Sequence, residues 1–122
     1  MPQQKKTLVL GASDNPARYS YLAINRLLNH GHPVVAIGLK TGKVQDVDII
    51  TEHPEMDDID TITLYLNPKN QVQYYDYILS LKPKRVIFNP GTENNELERK
   101  LIQKGVNTIE ACTLVMLSTG QY

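Results

Sequence analysis

A small-residue loop near the start of the chain has the residue types of a phosphate-binding turn. The apolar run 7–10 suits a buried strand, and it stops at residues 11–13 (Gly-Ala-Ser), where a glycine and two small side chains leave backbone N–H groups exposed. Helical spacing follows from Tyr21, and the free donors and the dipole of a helix N-terminus both favour an anion. Arg18 adds a positive charge and Ser20 adds a hydroxyl. This stretch therefore predicts a site for a phosphate group.

Neither of the two common glycine-rich phosphate motifs is present in this loop. The dinucleotide fingerprint G-x-G-x-x-G would begin at Gly11, but Ser13 and Pro16 stand where its later glycines belong. A Walker A loop would end in Gly-Lys-Ser or Gly-Lys-Thr, which is absent. The residues alone leave two interpretations open: a phosphate site, and a loop in which Gly11 only turns the strand.

A pair of lysines follows the second predicted strand, which covers residues 33–37. The next six residues are Gly-Leu-Lys-Thr-Gly-Lys, which include Lys40 and Lys43 but no acid. An NAD site would place Asp or Glu there to hold the ribose hydroxyls, whereas lysines suit a phosphate on the ribose, as in NADP or coenzyme A. The alternative is that both lysines are solvated loop residues.

The elements that must position these loops alternate between strand and helix. Strands are predicted at 7–10, 33–37, 61–66, 85–88 and 106–109. Helices are predicted at 21–29, 69–81, 95–104 and in the apolar tail 110–117. Thr92 is expected to cap the third of these helices, and Pro54 to open a further short one. The alternation predicts an α/β fold, a single domain over 1–122 with a Rossmann-like doubly wound parallel sheet of about five strands and helices on both faces.

The carboxyl ends of the predicted strands carry the loops of interest. Sheets of this kind bind ligands at that edge. The loops containing Ser13, Lys40, Pro68 and Gly91 are therefore expected to lie together and to form a binding site.

The composition excludes several function classes. The chain has 122 residues, and its 13 basic and 13 acidic side chains cancel, so no bulk charge favours nucleic acid or an anionic membrane. The apolar runs are too short to predict a membrane span. The absence of an apolar signal segment before the first strand and the presence of a single cysteine, Cys112, predict a cytoplasmic protein. The three histidines are scattered, so no metal site is expected. The edge loops hold no nucleophile beside a base, so no catalytic residue is predicted.

Several short motifs occur in a characteristic order along residues 6–112. They are Gly-Ala-Ser at 11–13 with Pro16 and Tyr19-Ser20, Asn67-Pro68 after the third strand, Asn-Pro-Gly-Thr at 89–92 after the fourth, and Gly105-Val106 before Cys112. By these motifs the chain resembles the small stand-alone CoA-binding domain proteins, which are related to the nucleotide-binding half of the succinyl-CoA synthetase alpha subunit. The resemblance implies a Rossmann-like protein that binds coenzyme A, or an acyl-CoA, at the carboxyl edge of its sheet.

The resemblance also implies roles for individual residues at that edge. The phosphates of the ligand would be held by Gly11, Ser13, Arg18 and Ser20, whose motif also includes Ala12 and Tyr19. A phosphate near the ribose would be reached by Lys40. The adenosine or pantetheine path would be lined by Leu66, Asn67 and Pro68, and the far end of the ligand would be approached by Pro90, Gly91 and Asn94.

The first functional hypothesis is a CoA-binding protein that has no catalytic apparatus of its own. Two other functions are considered. The alternative is an NADP- or other nucleotide-binding domain that acts with a partner protein. The third is a redox-responsive regulator in which Cys112 forms a mixed disulfide with coenzyme A, which requires an accessible thiol of low pKa. The tyrosine-rich helix, with Tyr74, Tyr75 and Tyr77, is a candidate surface for a second copy of the chain.

Overall fold

A mostly parallel sheet forms the centre of the protein, and the computed structural model describes residues 4–122. Its strands are β1 (Thr7–Leu10), β2 (Val34–Ile37), β3 (Gly42–Val44), β4 (Val47–Ile50), β5 (Thr61–Leu64), β6 (Arg85–Phe88) and β7 (Asn107–Glu110). The helices are α1 (Tyr19–Asn29), α2 (Pro68–Gln71), α3 (Tyr75–Leu81), α4 (Asn95–Gln103) and α5 (Thr113–Ser118), and a 3-10 turn at Val72–Tyr74 joins α2 to α3. No helix within residues 4–122 has the length and apolar character needed to cross a membrane.

The strands lie in the order β3-β4-β2-β1-β5-β6-β7, and every neighbouring pair is parallel except β3 and β4. The α/β class and the mostly parallel sheet are confirmed, whereas the predicted number of strands is wrong. The additional pair, β3 and β4, is an antiparallel hairpin that turns at Gln45, whose φ is +53°. Val44 and Ile49 are buried while Lys43 and Asp48 are exposed. Such short alternating strands contain too short an apolar run to be recognised in the sequence.

Two hydrophobic clusters, one on each face of the sheet, hold the helices in place. Leu8 and Leu10 of β1 pack in the cluster that contains residues of α3 and α4, whereas Val9 packs in the cluster that contains residues of α1 and α5. All four residues of β1 and all four of β5 are buried, as expected for parallel strands covered on both faces. The loops at the strand ends are therefore carried by a rigid core.

The helices differ from their predicted bounds, and one predicted helix does not form. α1 begins at Tyr19, two residues before the predicted start, and the predicted helix 69–81 is divided by the 3-10 turn. Pro54 opens no helix, so that prediction is wrong. Its segment is instead held against α3: the Tyr77 hydroxyl donates to the Pro54 carbonyl at 2.7 Å, and the His53 ring lies 5.1 Å from the Tyr77 ring.

The N-terminus of α4 is capped by a different residue from the predicted one. Asn94 is the cap, because its Oδ1 accepts backbone N–H groups of the first turn. The Thr92 hydroxyl bends back and donates to the Asn89 carbonyl at 2.7 Å, so it is not available to cap the helix. The predicted helical tail starts only at Thr113, because Glu110 belongs to β7.

At the amino edge of the sheet, the side chain of Tyr122 is buried against β1 and β6. Its hydroxyl shares a hydrogen bond with Thr7 Oγ1, the Arg85 guanidinium lies 4.4 Å from its ring centroid, and the His32 ring lies 4.9 Å away. Nδ1 of His32 accepts the Lys5 backbone N–H at 3.0 Å. Burial, followed by the charge of Lys5, lowers the pKa of His32, so this imidazole is neutral at pH 7.

Candidate functional site

A cleft runs along the carboxyl edge of the sheet, across the ends of β2, β1, β5 and β6. Its volume is about 920 Å³, within the range of pockets that hold cofactors. Because it crosses four strands spaced about 4.8 Å apart, it is roughly 14 Å wide and suits an elongated ligand. The lining residues are 11–15, 17–20, 39–40, 65–67, 70 and 90–92. A smaller hollow of about 470 Å³ beside the ends of α3 and α4 contains none of the predicted site residues.

Most of the residues predicted for the site lie in this cleft. The lining includes Gly11, Ala12, Ser13, Arg18, Tyr19, Ser20, Lys40, Leu66, Asn67, Pro90 and Gly91. Pro68 and Asn94 lie outside the lining. Pro68 is the exposed first residue of α2, and Asn94 is occupied as the cap of α4. The structure thus brings the four predicted loops together. Two of the predicted residues, Pro68 and Asn94, do not line the cleft.

The cleft also contains residues that sequence reasoning missed. Tyr65 follows β5, and its N–H donates to the Leu10 carbonyl at 2.9 Å, which places it beside Gly11. Asp14, Asn15, Ala17, Leu39, Asn70 and Thr92 complete the lining. The signal that could have found Tyr65 is its position, since the residue after each parallel strand reaches the same edge.

Gly11 fits its position for two separate physical reasons. Its φ of +94° is a left-handed conformation that favours glycine, and a Cβ there would lie 2.9 Å from the carbonyl carbon of Tyr65. The N–H groups of Gly11 and Ala12 both donate to the Ile37 carbonyl at 2.9 Å. These two donors are therefore not free for a ligand, which corrects the expectation that the whole loop exposes its N–H groups.

The remaining donors lie one step further along the chain. Within the described range 4–122, the N–H groups of Ser13 and Asp14 have no acceptor. α1 begins at Tyr19 with no side-chain cap and no acid in its first turn, so the N–H groups of that turn also lack a capping partner. Because Tyr19 and Ser20 line the cleft, an anion bound there would receive these hydrogen bonds and the favourable end of the helix dipole.

Charge is divided unequally along the cleft. The charged lining side chains are Asp14, Arg18 and Lys40, and all three lie in the half formed by the loops after β1 and β2. We call this the charged half. The neutral half is lined by Tyr65, Leu66, Asn67, Asn70, Pro90, Gly91 and Thr92, and none of these side chains is charged. A ligand that matches both halves is anionic at one end and uncharged but polar at the other.

Buried carboxamides fix the loops of the neutral half. Gln71 is fully buried, and its Nε2 donates to the carbonyl oxygens of Leu66 and Thr92, both at 2.8 Å. Its Oε1 accepts a hydrogen bond from Asn94 Nδ2 at 2.9 Å. The loops after β5 and β6 are therefore tied to one another.

Asn89 adds a second connection beneath the same loops. Its Nδ2 donates to Thr63 Oγ1 at 2.6 Å and to the Leu64 carbonyl at 2.9 Å, and its Oδ1 accepts the Thr113 N–H at 2.9 Å. The residue is 2% exposed. It therefore joins β5, β6 and the start of α5 at the carboxyl edge.

Comparison with known proteins identifies the family. A family model described as a CoA binding domain matches residues 5–118, nearly the whole chain. The chain belongs to the CoA-binding domain family. The resemblance inferred from the sequence motifs is confirmed, while the roles of single residues stay predictions.

Solved structures share the fold of this CoA-binding domain. A crystal structure of an uncharacterized protein is 55% identical, with a TM-score of 0.97 over 99% of this chain and 100% of that chain. A conserved hypothetical protein from Pyrococcus furiosus is 26% identical, with a TM-score of 0.79 over 91% and 97% of the two chains. A hypothetical protein from Pyrococcus horikoshii is 24% identical, with a TM-score of 0.86 over 96% and 84%, and shows the fold alone. A search of the curated proteins found no match.

Two side chains near the cleft of this CoA-binding domain have reactive groups. The Tyr65 hydroxyl is buried without a hydrogen-bond partner in the described part of the chain, and this burial raises the pKa of Tyr65, so the phenol stays protonated. Cys112 is half-buried in the N-cap position of α5 and does not line the cleft. Residues 4–122 hold no cluster of three potential metal ligands.

Proposed function

We propose that this protein binds coenzyme A, or an acyl-CoA, in the cleft along the carboxyl edge of its sheet. The observation that carries the proposal is the division of the cleft into a charged and a neutral half. Coenzyme A has the same division, because its nucleotide end bears a diphosphate and a ribose phosphate, whereas its pantetheine end is an uncharged chain with two amides. Membership of the CoA-binding domain family supports the same ligand.

The charged half offers suitable partners for the phosphates. The free N–H groups of Ser13 and Asp14 and the uncapped start of α1 supply donors for the diphosphate. Arg18 stands at that helix start, and Lys40 follows β2, so two cations flank the position. In this proposal Lys40 binds the ribose phosphate.

The neutral half offers suitable partners for the pantetheine chain. The exposed carboxamide of Asn70 can donate to and accept from its two amides. Asn67 offers its Nδ2 as a donor, because its Oδ1 already accepts the Asn70 N–H at 2.9 Å as the cap of α2. Gly91 has φ of +91° and no atom within 4 Å of the position of a Cβ, so a ligand can approach its backbone. The thiol or acyl end then lies beside the loop after β6.

The proposal is tested by calorimetric titration and thermal shift with CoA, acetyl-CoA, NAD, NADP, ATP and AMP. A ligand that binds only the folded state raises the unfolding midpoint, by about 2.7 kcal/mol of stability at a hundred times its Kd. CoA compounds are expected to bind, and Arg18→Ala and Lys40→Ala are each expected to weaken them about tenfold or more. Arg99→Ala and Lys100→Ala remove exposed charges of α4 outside the cleft and serve as matched controls.

Three outcomes would count against the proposal in different ways. A shift with NADP alone would favour the alternative nucleotide-binding function. No binding of any CoA compound would contradict the proposed function itself. CoA binding that survives both Arg18→Ala and Lys40→Ala unchanged would show that the ligand lies elsewhere.

A further inference from the structure

The last strand of the sheet has an open outer edge. β7 ends the strand order, so within residues 4–122 it is paired on its inner side only, with β6. The N–H groups of Asn107 and Ala111 donate to carbonyl oxygens of β6 on that inner side. Because backbone groups alternate in direction along a strand, the N–H and C=O groups of Thr108 and Glu110 point outwards. β7 therefore presents two donors and two acceptors to an incoming strand.

The opposite edge of the sheet is protected against such pairing. β3 has only three residues, and its one exposed residue is Lys43. A short edge strand with a lysine is a common way in which proteins prevent pairing with another chain. β7 contains neither lysine nor proline, and Ile109 in its middle is 38% exposed. The β7 edge is thus the one of the two that suits contact with another chain.

The two faces of the β7 edge differ in chemistry. Ile109 lies in register with Ile87, which packs in the cluster that contains residues of α1 and α5, so the Ile109 side chain is on that face. The side chains of Thr108 and Glu110 are on the other face, where the Thr108 hydroxyl donates to Glu98 Oε2 of α4 at 3.2 Å. One face of the edge is therefore apolar and the other is acidic.

Helix α4 extends the acidic face. Ile102 follows Glu98 by one helical turn, so it lies on the same side of the helix, and it is 57% exposed. Neither Glu98 nor Glu110 forms an ion pair with any of residues 4–122. The acidic face thus has two carboxylates whose charges are not neutralised within the described chain.

These charges disfavour a second copy of the chain as the occupant of the edge. The outward groups of Thr108 and Glu110 lie symmetrically about Ile109, so a two-fold pairing of β7 with itself would set Glu110 of one copy opposite Thr108 of the other. Since Thr108 is bonded to Glu98, the carboxylates of the two copies would then lie close together. Like charges in opposed positions destabilise strand pairing. The edge matches a strand of opposite charge instead.

We propose that β7 is a docking edge for an extended segment of a partner protein in which basic and apolar residues alternate. The basic residues of this segment lie beside Glu98 and Glu110, and an apolar residue between them lies against Ile109. Main-chain hydrogen bonds to Thr108 and Glu110 provide affinity, and the alternating side chains provide selectivity. None of these four residues lines the cleft, so docking does not depend on CoA.

The test uses a short capped peptide in which lysine and valine alternate. Its controls are a peptide of alternating glutamate and valine, and a peptide of the same composition whose lysines and valines are grouped in two blocks. Amide hydrogen exchange measured by NMR reports the site, because the outward N–H groups of Thr108 and Glu110 face solvent in the protein alone. At about ten times its Kd, the alternating lysine peptide is expected to slow both amides about tenfold.

Side-chain variants test the two faces separately. Glu98→Gln and Glu110→Gln are each expected to weaken the lysine peptide about two- to fivefold. Ile109→Thr keeps the β-branch but has less apolar area, and it is expected to weaken the peptide by a similar factor. Glu52→Gln removes an equal charge from the segment after β4, at the opposite side of the sheet, and is expected to change nothing.

Three results would overturn the inference. The first is a lysine peptide that does not slow exchange at Thr108 and Glu110. The second is equal slowing by the glutamate peptide, which would show that charge does not select the partner. The third is protection that rises with protein concentration alone, together with a dimer in analytical ultracentrifugation, which would make a second copy the occupant. Because every measurement is made without CoA, a failure of the proposed function leaves these outcomes unaffected.

Discussion

Gly38 and Ala12 are in backbone contact: a Cβ on Gly38 would lie 2.3 Å from the Ala12 carbonyl oxygen. The φ of Gly38 is not in the left-handed region, so its backbone conformation does not disfavour alanine. The steric clash of the added Cβ with Ala12 is therefore the effect that alanine would introduce. Gly38→Ala is therefore expected to lower the free energy of unfolding by about 1–3 kcal/mol and to weaken CoA binding, since one of the two cleft loops must move. Urea denaturation and calorimetry measure the two effects.

Gly42→Ala is the control for this steric prediction. Its Cβ would meet the Asp14 side chain, which is exposed and can rotate away, so a smaller loss of stability is expected. Equal losses in the two variants would contradict the assigned role of the Gly38–Ala12 contact.

Asn89 is expected to be one of the most sensitive polar positions. Asn89→Ala leaves the Leu64 carbonyl and the Thr113 N–H without their partner in a buried place, which costs about 1–3 kcal/mol for each unsatisfied group. Urea denaturation of Asn107→Ala, an exposed residue of β7, gives the comparison. If the two variants unfold at the same urea concentration, the network does not stabilise the fold as described.

The neutral His32 predicts a pH dependence of stability. The pKa of His32 is lowered in the folded protein, first by burial and then by the charge of Lys5, from a value near 6.5 in the unfolded chain. The unfolded state therefore binds more protons, and the contribution of His32 is complete above pH 6.5 and is lost as the pH falls below it. The unfolding free energy is expected to fall by up to about 1 kcal/mol between pH 6.5 and 5.5.

Substitution assigns this loss to one side chain. His32→Gln keeps an acceptor for the Lys5 N–H but does not titrate, so its stability is expected to change less over the same interval. His30→Gln is expected to reduce the pH dependence only slightly, because the charge of His30 is a smaller cause of the lowered pKa of His32 than burial and Lys5. A His32→Gln protein with the full wild-type pH dependence would refute the assignment.

Cys112→Ser is expected to leave CoA affinity unchanged, because Cys112 does not line the cleft. Serine also suits the N-cap position of α5, so the thermal midpoint is expected to stay the same or to rise slightly. Calorimetry and thermal unfolding measure the two quantities. A marked loss of affinity would show that the thiol contacts the ligand and would favour the redox hypothesis.

The sequence predicts the central strands well because each is an apolar run that ends at glycine or at Asn-Pro. The hairpin of β3 and β4 escapes prediction because Lys43 and Asp48 interrupt its buried residues. The order of the strands requires contacts between distant segments, so no local pattern determines it.

The edge loops of the candidate site are likewise predictable, but the use of single groups within them is not. The Ile37 carbonyl accepts hydrogen bonds from the N–H groups of Gly11 and Ala12, which lie 26 and 25 residues earlier in the chain. These long-range hydrogen bonds determine which N–H groups of the loop stay free. Thr92 and Asn94 are both plausible caps of α4 by residue type. The choice depends on the bond from the Thr92 hydroxyl to Asn89.

The hydrogen bonds made by Ile37, Gln71 and Asn89 have a kinetic consequence. They hold the loops on both halves of the cleft without help from a ligand, so a ligand does not have to order them on arrival. Under the proposed function, association is then expected to be governed by diffusion and by the attraction of Arg18 and Lys40 for the phosphates of the ligand, which added salt weakens. Ligands that share the same phosphates will arrive at similar rates, and they will differ mainly in how long they stay.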